Sequence, residues 1–352
     1  MDITKIDPNF SIKRVSEGLD IDYYDVKETP IKLFGVFCEN NKFVRMPERV
    51  AKTVSEGVHS LYDNTAGGRV CFKTDSRYIV LAAKIVSAGK MPHFTTLGSA
   101  GFDLYIKDDY FGAFMPDYNV DGAYNCVLDF GFEGMREITI NFPLYSSVSD
   151  VYVGVTAGAR VEEYYPYKKI LPIVYYGSSI TQGGCASRPG NSYQAEICRR
   201  TGVDYINLGF SGNAKGEQEM ADYIADLNMS IFVMDYDHNT PNVEHLKNTH
   251  EKFFKTIRKK NKDLPVIFVT KPDFKGVGDS LRRDVIYTTY RNALLTGDEN
   301  VAFIDGSTFF SGDKRSFCTV DNCHPNDMGF YQMACSIGEV VEKLLKYGNY
   351  VK

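Results

Sequence analysis

The hydrophobic pattern of this chain changes period near residue 160, so the two halves cannot belong to one kind of sheet. Before that point, Arg69–Lys73, Tyr78–Ile85, Phe102–Lys107, Cys126–Phe130, Arg136–Asn141 and Val151–Val155 are short, partly alternating and rich in Val, Ile, Tyr and Phe. Turn signals stand between them: Gly67-Gly68, Asp75-Ser76, Asp108-Asp109, Asp121-Gly122 and Gly131. Short strands punctuated in this way predict a β-sandwich or jelly-roll. Beyond residue 160, Ile170–Tyr176 is an almost unbroken apolar run, as a strand buried on both faces must be.

That run opens an alternation of strands and helices. A helical stretch around Ser192–Arg200 precedes the strand-like Tyr205–Leu208, a Gly-rich loop and a helix over Gly216–Leu227. Ile231–Asp235 reads as a strand and Val243–Asn261 as a long amphipathic helix. Pro265–Thr270 and Val301–Asp305 complete the strand series, and Met328–Lys346 closes it as a helix. Alternation of this kind predicts βαβ units and a doubly wound parallel sheet, an α/β fold. The polar connection through Tyr164-Tyr165-Pro166 and Lys168-Lys169 divides the chain into expected domains 1–160 and 161–352. A length of 352 residues suits two domains at roughly 100–200 residues each.

Charge and cysteine usage narrow the function classes. The net charge is −5, and Arg258-Lys259-Lys260, the densest basic run, sits at a predicted helix end where cations suit the helix dipole. A nucleic-acid partner would need a basic face, so none is expected. Residues 1–18 lack the apolar core of a signal peptide, and no apolar segment approaches the roughly 20 residues that span a bilayer. No membrane partner and a cytoplasmic location are therefore expected. The eight cysteines are scattered without paired CxxC spacing, which argues against a zinc site or a disulfide framework. The oligomeric state is open, a homo-oligomer included.

Four segments place reactive groups at successive carboxyl edges of the predicted sheet, where ligands bind in open α/β folds. Ser179, in Gly177-Ser178-Ser179-Ile180-Thr181, follows the first strand directly; a helix N-cap would be the bland reading of these serines. Asn207-Leu208-Gly209-Phe210-Ser211-Gly212-Asn213 follows the second strand, where glycine lets a main-chain N–H approach a substrate oxygen. Met234-Asp235-Tyr236-Asp237-His238-Asn239 follows the third, and the Asn239 amide can donate to a developing oxyanion. Asp321-Asn322-Cys323-His324 precedes the last helix; Asp321 three residues ahead of His324 can fix the imidazole tautomer and leave Nε2 as a base. Each segment taken singly reads equally well as a turn or cap. Together they supply the nucleophile, the base and the oxyanion donors that acyl transfer requires.

These segments resemble the sequence blocks of the SGNH (GDSL-type) serine hydrolases over roughly 170–346. The resemblance implies a flavodoxin-like three-layer α/β/α domain with Ser179 as nucleophile, His324 as base and Asp321 as its partner. It also implies an oxyanion hole of the Ser179 and Gly212 N–H groups and the Asn239 side chain. Ser178 departs from the family's usual Asp, and the third block reads Asp237-His238-Asn239 where a Gly-rich Gly-x-Asn-Asp is usual. The loop Gly183–Asn191 and the stretch Gly101-Phe102-Asp103-Leu104-Tyr105 are similar to a two-domain bacterial subgroup with an N-terminal Gly-x-Asp-Leu-Tyr sandwich. That subgroup includes carbohydrate acetyl esterases. The expectation is thus a serine esterase acting on acetylated small-molecule or oligosaccharide substrates, without metal or other cofactor. Arg188 and His238 are the candidate substrate contacts, and whether Asp321 completes a triad or leaves a dyad stays open. A lipase, phospholipase or thioesterase of the same superfamily, and a non-catalytic carbohydrate-binding protein, are the alternatives.

Overall fold

Where the alternating segments lie, the chain forms two antiparallel sheets. One orders its strands Ile21–Asp25, Ser146–Thr156, Tyr78–Ala88 and Gly122–Asp129. The other orders Val161–Glu163, Arg69–Thr74, Arg136–Asn141, Phe102–Ile106 and Asp109–Phe114, with Lys32–Phe34 also paired to Arg69–Thr74. Inward residues of both sheets, among them Val70, Phe72, Leu81, Leu104, Ile138, Ile140, Val151 and Val153, share one core. The alternation has a direct physical cause, since successive side chains on a strand point to opposite faces. These coordinates are a computed structural model that describes residues 18–273, 275–310, 312 and 315–347. The N-terminal stretch read above for a targeting signal lies almost wholly outside the described residues.

Among the described residues, one compact unit comprises 18–44, 63–166 and 188–190. The other comprises 45–62, 167–187 and the chain from 191 onward. The first unit thus runs six residues past the division drawn at 160/161, and two further short segments cross that division. Arg188–Gly190 groups with the first unit, and Arg45–Tyr62 with the second. The latter is helical for local reasons. Pro47, with φ −60°, precedes the helix Glu48–Val54, and the Ser55 hydroxyl accepts from Val58 N (3.1 Å) to cap Glu56–His59. Neither helix was anticipated from the sequence.

The second unit is built on a five-stranded parallel sheet ordered Tyr205–Gly209, Ile173–Gly177, Ile231–Asp235, Val266–Val269 and Val301–Ile304. In chain order this is 2-1-3-4-5, the flavodoxin-like order. Every residue of Ile173–Gly177, Ile231–Asp235 and Val266–Val269 is buried, which explains their unbroken apolar character. The helix Tyr193–Thr201 packs with Asp327–Tyr347, while Gln218–Ala225, Val243–Lys260 and Val277–Leu295 pack in succession. The fold class is the expected one, an α/β parallel-sheet domain in a chain that also carries antiparallel sheets. Val277–Leu295 escaped the sequence reading because its apolar residues form no continuous stripe. Ile286, Thr289 and Ala293 are buried, whereas Val277, Leu281, Leu294 and Leu295 are exposed. Among the described residues no helix is long and apolar enough to cross a membrane.

Strand order makes the carboxyl ends of the first three strands converge at the point where the chain direction across the sheet reverses. The backbone is crowded there. A Cβ on Gly209 would lie 2.2 Å from Gln182 N and 2.6 Å from its Cα, both main-chain atoms with no freedom to yield. Gly209→Ala is accordingly expected to destabilise the protein by about 3 kcal/mol or more, the upper end of the overpacking range. Gly278→Ala, in open space on a helix, should be neutral or stabilising by up to about 1 kcal/mol. Urea unfolding of the two variants checks this; equal stability would mean that the strand ends are not crowded.

Candidate active site

The first strand ends at Gly177, and Ser178 turns the chain. Its backbone is extended (φ −81°, ψ −164°) and its hydroxyl accepts from Ile180 N at 3.2 Å, capping the short helix Ser179–Gln182. A serine hydroxyl supplies here the capping acceptor that an aspartate would also supply. Ser179 is the first residue of that turn, which Gly183 closes in the left-handed conformation at φ 104°. Gly177 admits no side chain, because a Cβ would meet Asp235 O at 2.2 Å and Thr181 Oγ1 at 2.1 Å. The serine is thus held at the strand end by main-chain geometry.

Ser179 Oγ lies 2.9 Å from His324 Nε2. His324 Nδ1 lies 2.7 Å from Asp321 Oδ2. The other carboxylate oxygen, Oδ1, accepts the main-chain N–H groups of His324 (2.7 Å) and Cys323 (3.0 Å). This compact loop is possible because Asn322 takes a left-handed conformation (φ 65°) and Val320 N donates to His324 O at 3.0 Å. Partial burial pushes the Asp321 carboxyl upward, but the hydrogen bonds from the His324 ring and from the two N–H groups outweigh it. The pKa is held below the ordinary carboxylate value. An ionised Asp321 fixes the imidazole with Nδ1 as donor and leaves Nε2 as acceptor toward the serine.

The glycine loop after the second strand is tied to the serine turn at two points. Phe210 N donates to Gly177 O (2.8 Å), and Ser211 N donates to Oε1 of the wholly buried Gln182 (2.9 Å). Gly212 has φ 71°, a conformation that side chains disfavour. The Asn239 side chain, on the 3₁₀ turn Asp237–Asn239, donates from Nδ2 to Phe210 O at 2.9 Å. That amide has a second N–H. Ser179, His324, Asp321, Gly212 and Asn239 all fall in the second unit.

The two candidate substrate contacts have different surroundings. His238 Nε2 lies 3.3 Å from Cys323 Sγ, the neighbour of His324 in the chain, and His238 Nδ1 is buried with no partner among the described residues. Burial, reinforced by the nearby Lys271 and His324 charges, pushes the His238 pKa down to about 4, so the ring is neutral near pH 7. Arg188 belongs to the first unit, where its guanidinium donates to Asp103 Oδ2 (3.1 Å) and to the Tyr105 hydroxyl and lies 3.7 Å from the Tyr110 ring centroid. Asp103 is wholly buried and also accepts from Asn141 Nδ2 (2.8 Å), its cross-strand neighbour, and from Gly190 N (2.9 Å). Asp103 therefore serves as a cross-strand partner, and Arg188 is committed to it.

Sequence reasoning missed Gln182, Phe210 and a buried pair of carboxylates. Asp235, wholly buried, accepts from Thr181 Oγ1 (3.1 Å), and burial pushes its carboxyl well above the ordinary value. Asp237 accepts from Lys271 N (3.1 Å) and is raised to about 6, again by burial. Gln182, three residues after the serine, could have been found by asking what satisfies the Gly-loop N–H groups. The buried carboxylates carry no comparable signal, because burial is a property of the packed sheet.

Comparison with known proteins agrees with this architecture. Residues 170–342 match the GDSL-like lipase/acylhydrolase family, and residues 21–161 match the N-terminus of SGNH hydrolase-type esterases. No curated protein sequence matches the chain. Among solved structures, it is similar to a protein described as a GDSL-like lipase from Bacteroides ovatus (29% identity, TM-score 0.85, covering 93% of this chain and 98% of that one). It is also similar to the salicylyl-acyltransferase SsfX3 of a tetracycline biosynthetic pathway (17%, TM-score 0.78, covering 94% and 99%). A family two carbohydrate esterase from Clostridium thermocellum, solved with cellohexaose, shares the fold at lower similarity (14%, TM-score 0.61, covering 80% and 93%). With its strand order, its serine turn and both family matches accounted for, residues 170–342 form a GDSL-like lipase/acylhydrolase domain, and residues 21–161 form the GxDLY N-terminal domain of SGNH hydrolase-type esterases.

Proposed function

We propose that this protein is a serine esterase that removes acetyl groups from carbohydrate or oligosaccharide esters. The observation that carries the reading is the continuous relay from Ser179 Oγ through His324 (2.9 Å) to Asp321 (2.7 Å). Ser179 Oγ attacks the ester carbonyl while His324 Nε2 takes its proton. The Ser179 and Gly212 main-chain N–H groups and the second N–H of Asn239 receive the oxyanion. The bond from carbonyl carbon to alkoxy oxygen then breaks, and His324 gives its proton to the leaving alcohol. Water repeats the sequence on the acetyl-enzyme and releases acetate. His238, neutral and beside Cys323, is the candidate contact for a sugar hydroxyl. The carbohydrate preference is supported by the esterase found with cellohexaose and by the 24 Tyr and 23 Phe of the chain.

Purified protein is expected to hydrolyse p-nitrophenyl acetate far faster than p-nitrophenyl octanoate, with acetylated oligosaccharides turned over and the products read by NMR. Preference for the octanoate ester would reject the acetyl-esterase reading in favour of a lipase or thioesterase. Ser179→Ala should lower kcat/KM by at least about 10³-fold, since loss of a triad serine costs up to about 10⁶ in kcat. Oligosaccharide binding that survives this change, with no wild-type labelling by a fluorophosphonate, would identify a binding protein instead.

Asp321→Asn separates triad from dyad. If the carboxylate sets the imidazole tautomer, kcat falls by roughly 10²–10⁴-fold with KM little changed. A loss smaller than about threefold would show that the main chain alone orients His324.

A further inference from the structure

Arg45 lies far from the catalytic blocks in sequence, yet it is 2% exposed inside the second unit. Its N–H donates to Tyr62 O (3.0 Å) and its Nη2 to Leu61 O (2.7 Å), which closes the segment 45–62 upon itself. Its Nη1 reaches the end of the second parallel strand, donating to Asn207 O (3.2 Å) and Gly209 O (2.6 Å) across 162 and 164 positions of chain. The guanidinium carbon stands 4.7 Å from the centroid of the Phe210 ring. The same segment touches the loop again, because the Asn213 amide fills the space above Gly57, where a Cβ would meet Asn213 Oδ1 at 1.8 Å.

The residues so gripped are the ones that aim the oxyanion donors. Phe210 O accepts from Asn239 Nδ2 (2.9 Å), Asn213 N (2.9 Å) and Ala214 N (3.2 Å), while Phe210 N donates to Gly177 O (2.8 Å). Arg45 touches the peptide groups that join Asn207 to Leu208 and Gly209 to Phe210, and the Phe210 ring. A guanidinium presents several N–H groups in one rigid plane and keeps its charge under all ordinary conditions, so it can fix several carbonyls at once.

We infer that Arg45 is a positioning residue for the loop Gly209–Asn213, and that the catalytic unit is discontinuous in sequence, taking in residues 45–62. The inference rests on the esterase reading for its kinetic consequence, but its structural consequence does not depend on that reading. Displacement of catalytic donors by about 1 Å costs on the order of 10²-fold in rate.

The test uses the full-length chain carrying Arg45→Met or Arg45→Lys, with folding checked by circular dichroism. Arg45→Met is expected to lower kcat on p-nitrophenyl acetate at least tenfold while KM stays within twofold, with Arg45→Lys intermediate. Amide hydrogen exchange of the peptide spanning 207–214 should quicken at least tenfold in Arg45→Met, while the Ile231–Asp235 strand is unchanged. Folded Arg45→Met with wild-type kcat, or with unaltered exchange at 207–214, overturns the inference. If Arg45→Met does not fold, Arg45→Lys must show the same split between kcat and KM. Failure of both variants to fold would assign Arg45 to the core of the unit and reject a positioning role. A wild-type chain without esterase activity would instead refute the functional reading, and the exchange measurement would still decide Arg45.

Discussion

The site depends on how closely the main chain is packed where the first two parallel strands end. Gly177 and Gly209 face each other in register, and neither has room for a methyl group. Because side chains are absent there, the serine turn and the glycine loop are joined peptide to peptide, and the Asn239 turn is tied to them by its side-chain amide. Phe210 is the junction, with its N–H on Gly177 O and its carbonyl taking the Asn239 side chain. A single such hydrogen bond contributes only about 0.5–1.5 kcal/mol net, yet a buried partner left unmade costs about 1–3 kcal/mol. The loop therefore has little freedom to drift, and donors that need not reorganise are the ones that stabilise developing charge.

Charge around the site is arranged by burial. Asp321, partly exposed and fed by three N–H donors, stays ionised. Asp235 and Asp237 lie deeper, and burial raises both, so they act chiefly as hydrogen-bonding struts for Thr181 and the Lys271 main chain. His238 is pushed down to about 4 and is neutral beside the base. In the proposed mechanism that neutrality matters, since a second cation there would oppose an imidazolium formed as His324 takes the serine proton. Arg45 cannot shed its charge, and it is accommodated by main-chain carbonyls at the end of the second strand.

Much of this was legible in the residues themselves. A strand buried on both faces must be apolar throughout, so Ile173–Gly177 and Ile231–Asp235 announced a parallel sheet. Asp321 and His324 are close in sequence, and a short loop can bring them together without help from the rest of the fold. The segment 45–62 and the helix Val277–Leu295 were not legible, the first because it is short and the second because its buried residues make no continuous stripe.

Sequence alone determined the change from alternating strands to a strand–helix alternation, the chemical types at each strand end and the candidate partner of the imidazole, since these rest on periodicity and on neighbours a few positions apart. Tertiary structure decided which of those ends meet. Ser179 reaches His324 across 145 positions, and Arg45 reaches Gly209 across 164. Contacts at such separations are fixed by how sheet and helices pack, and a periodicity of two or 3.6 residues carries no record of them. The same packing set the burial of Asp235, Asp237 and His238, and with it which groups near the base hold a charge.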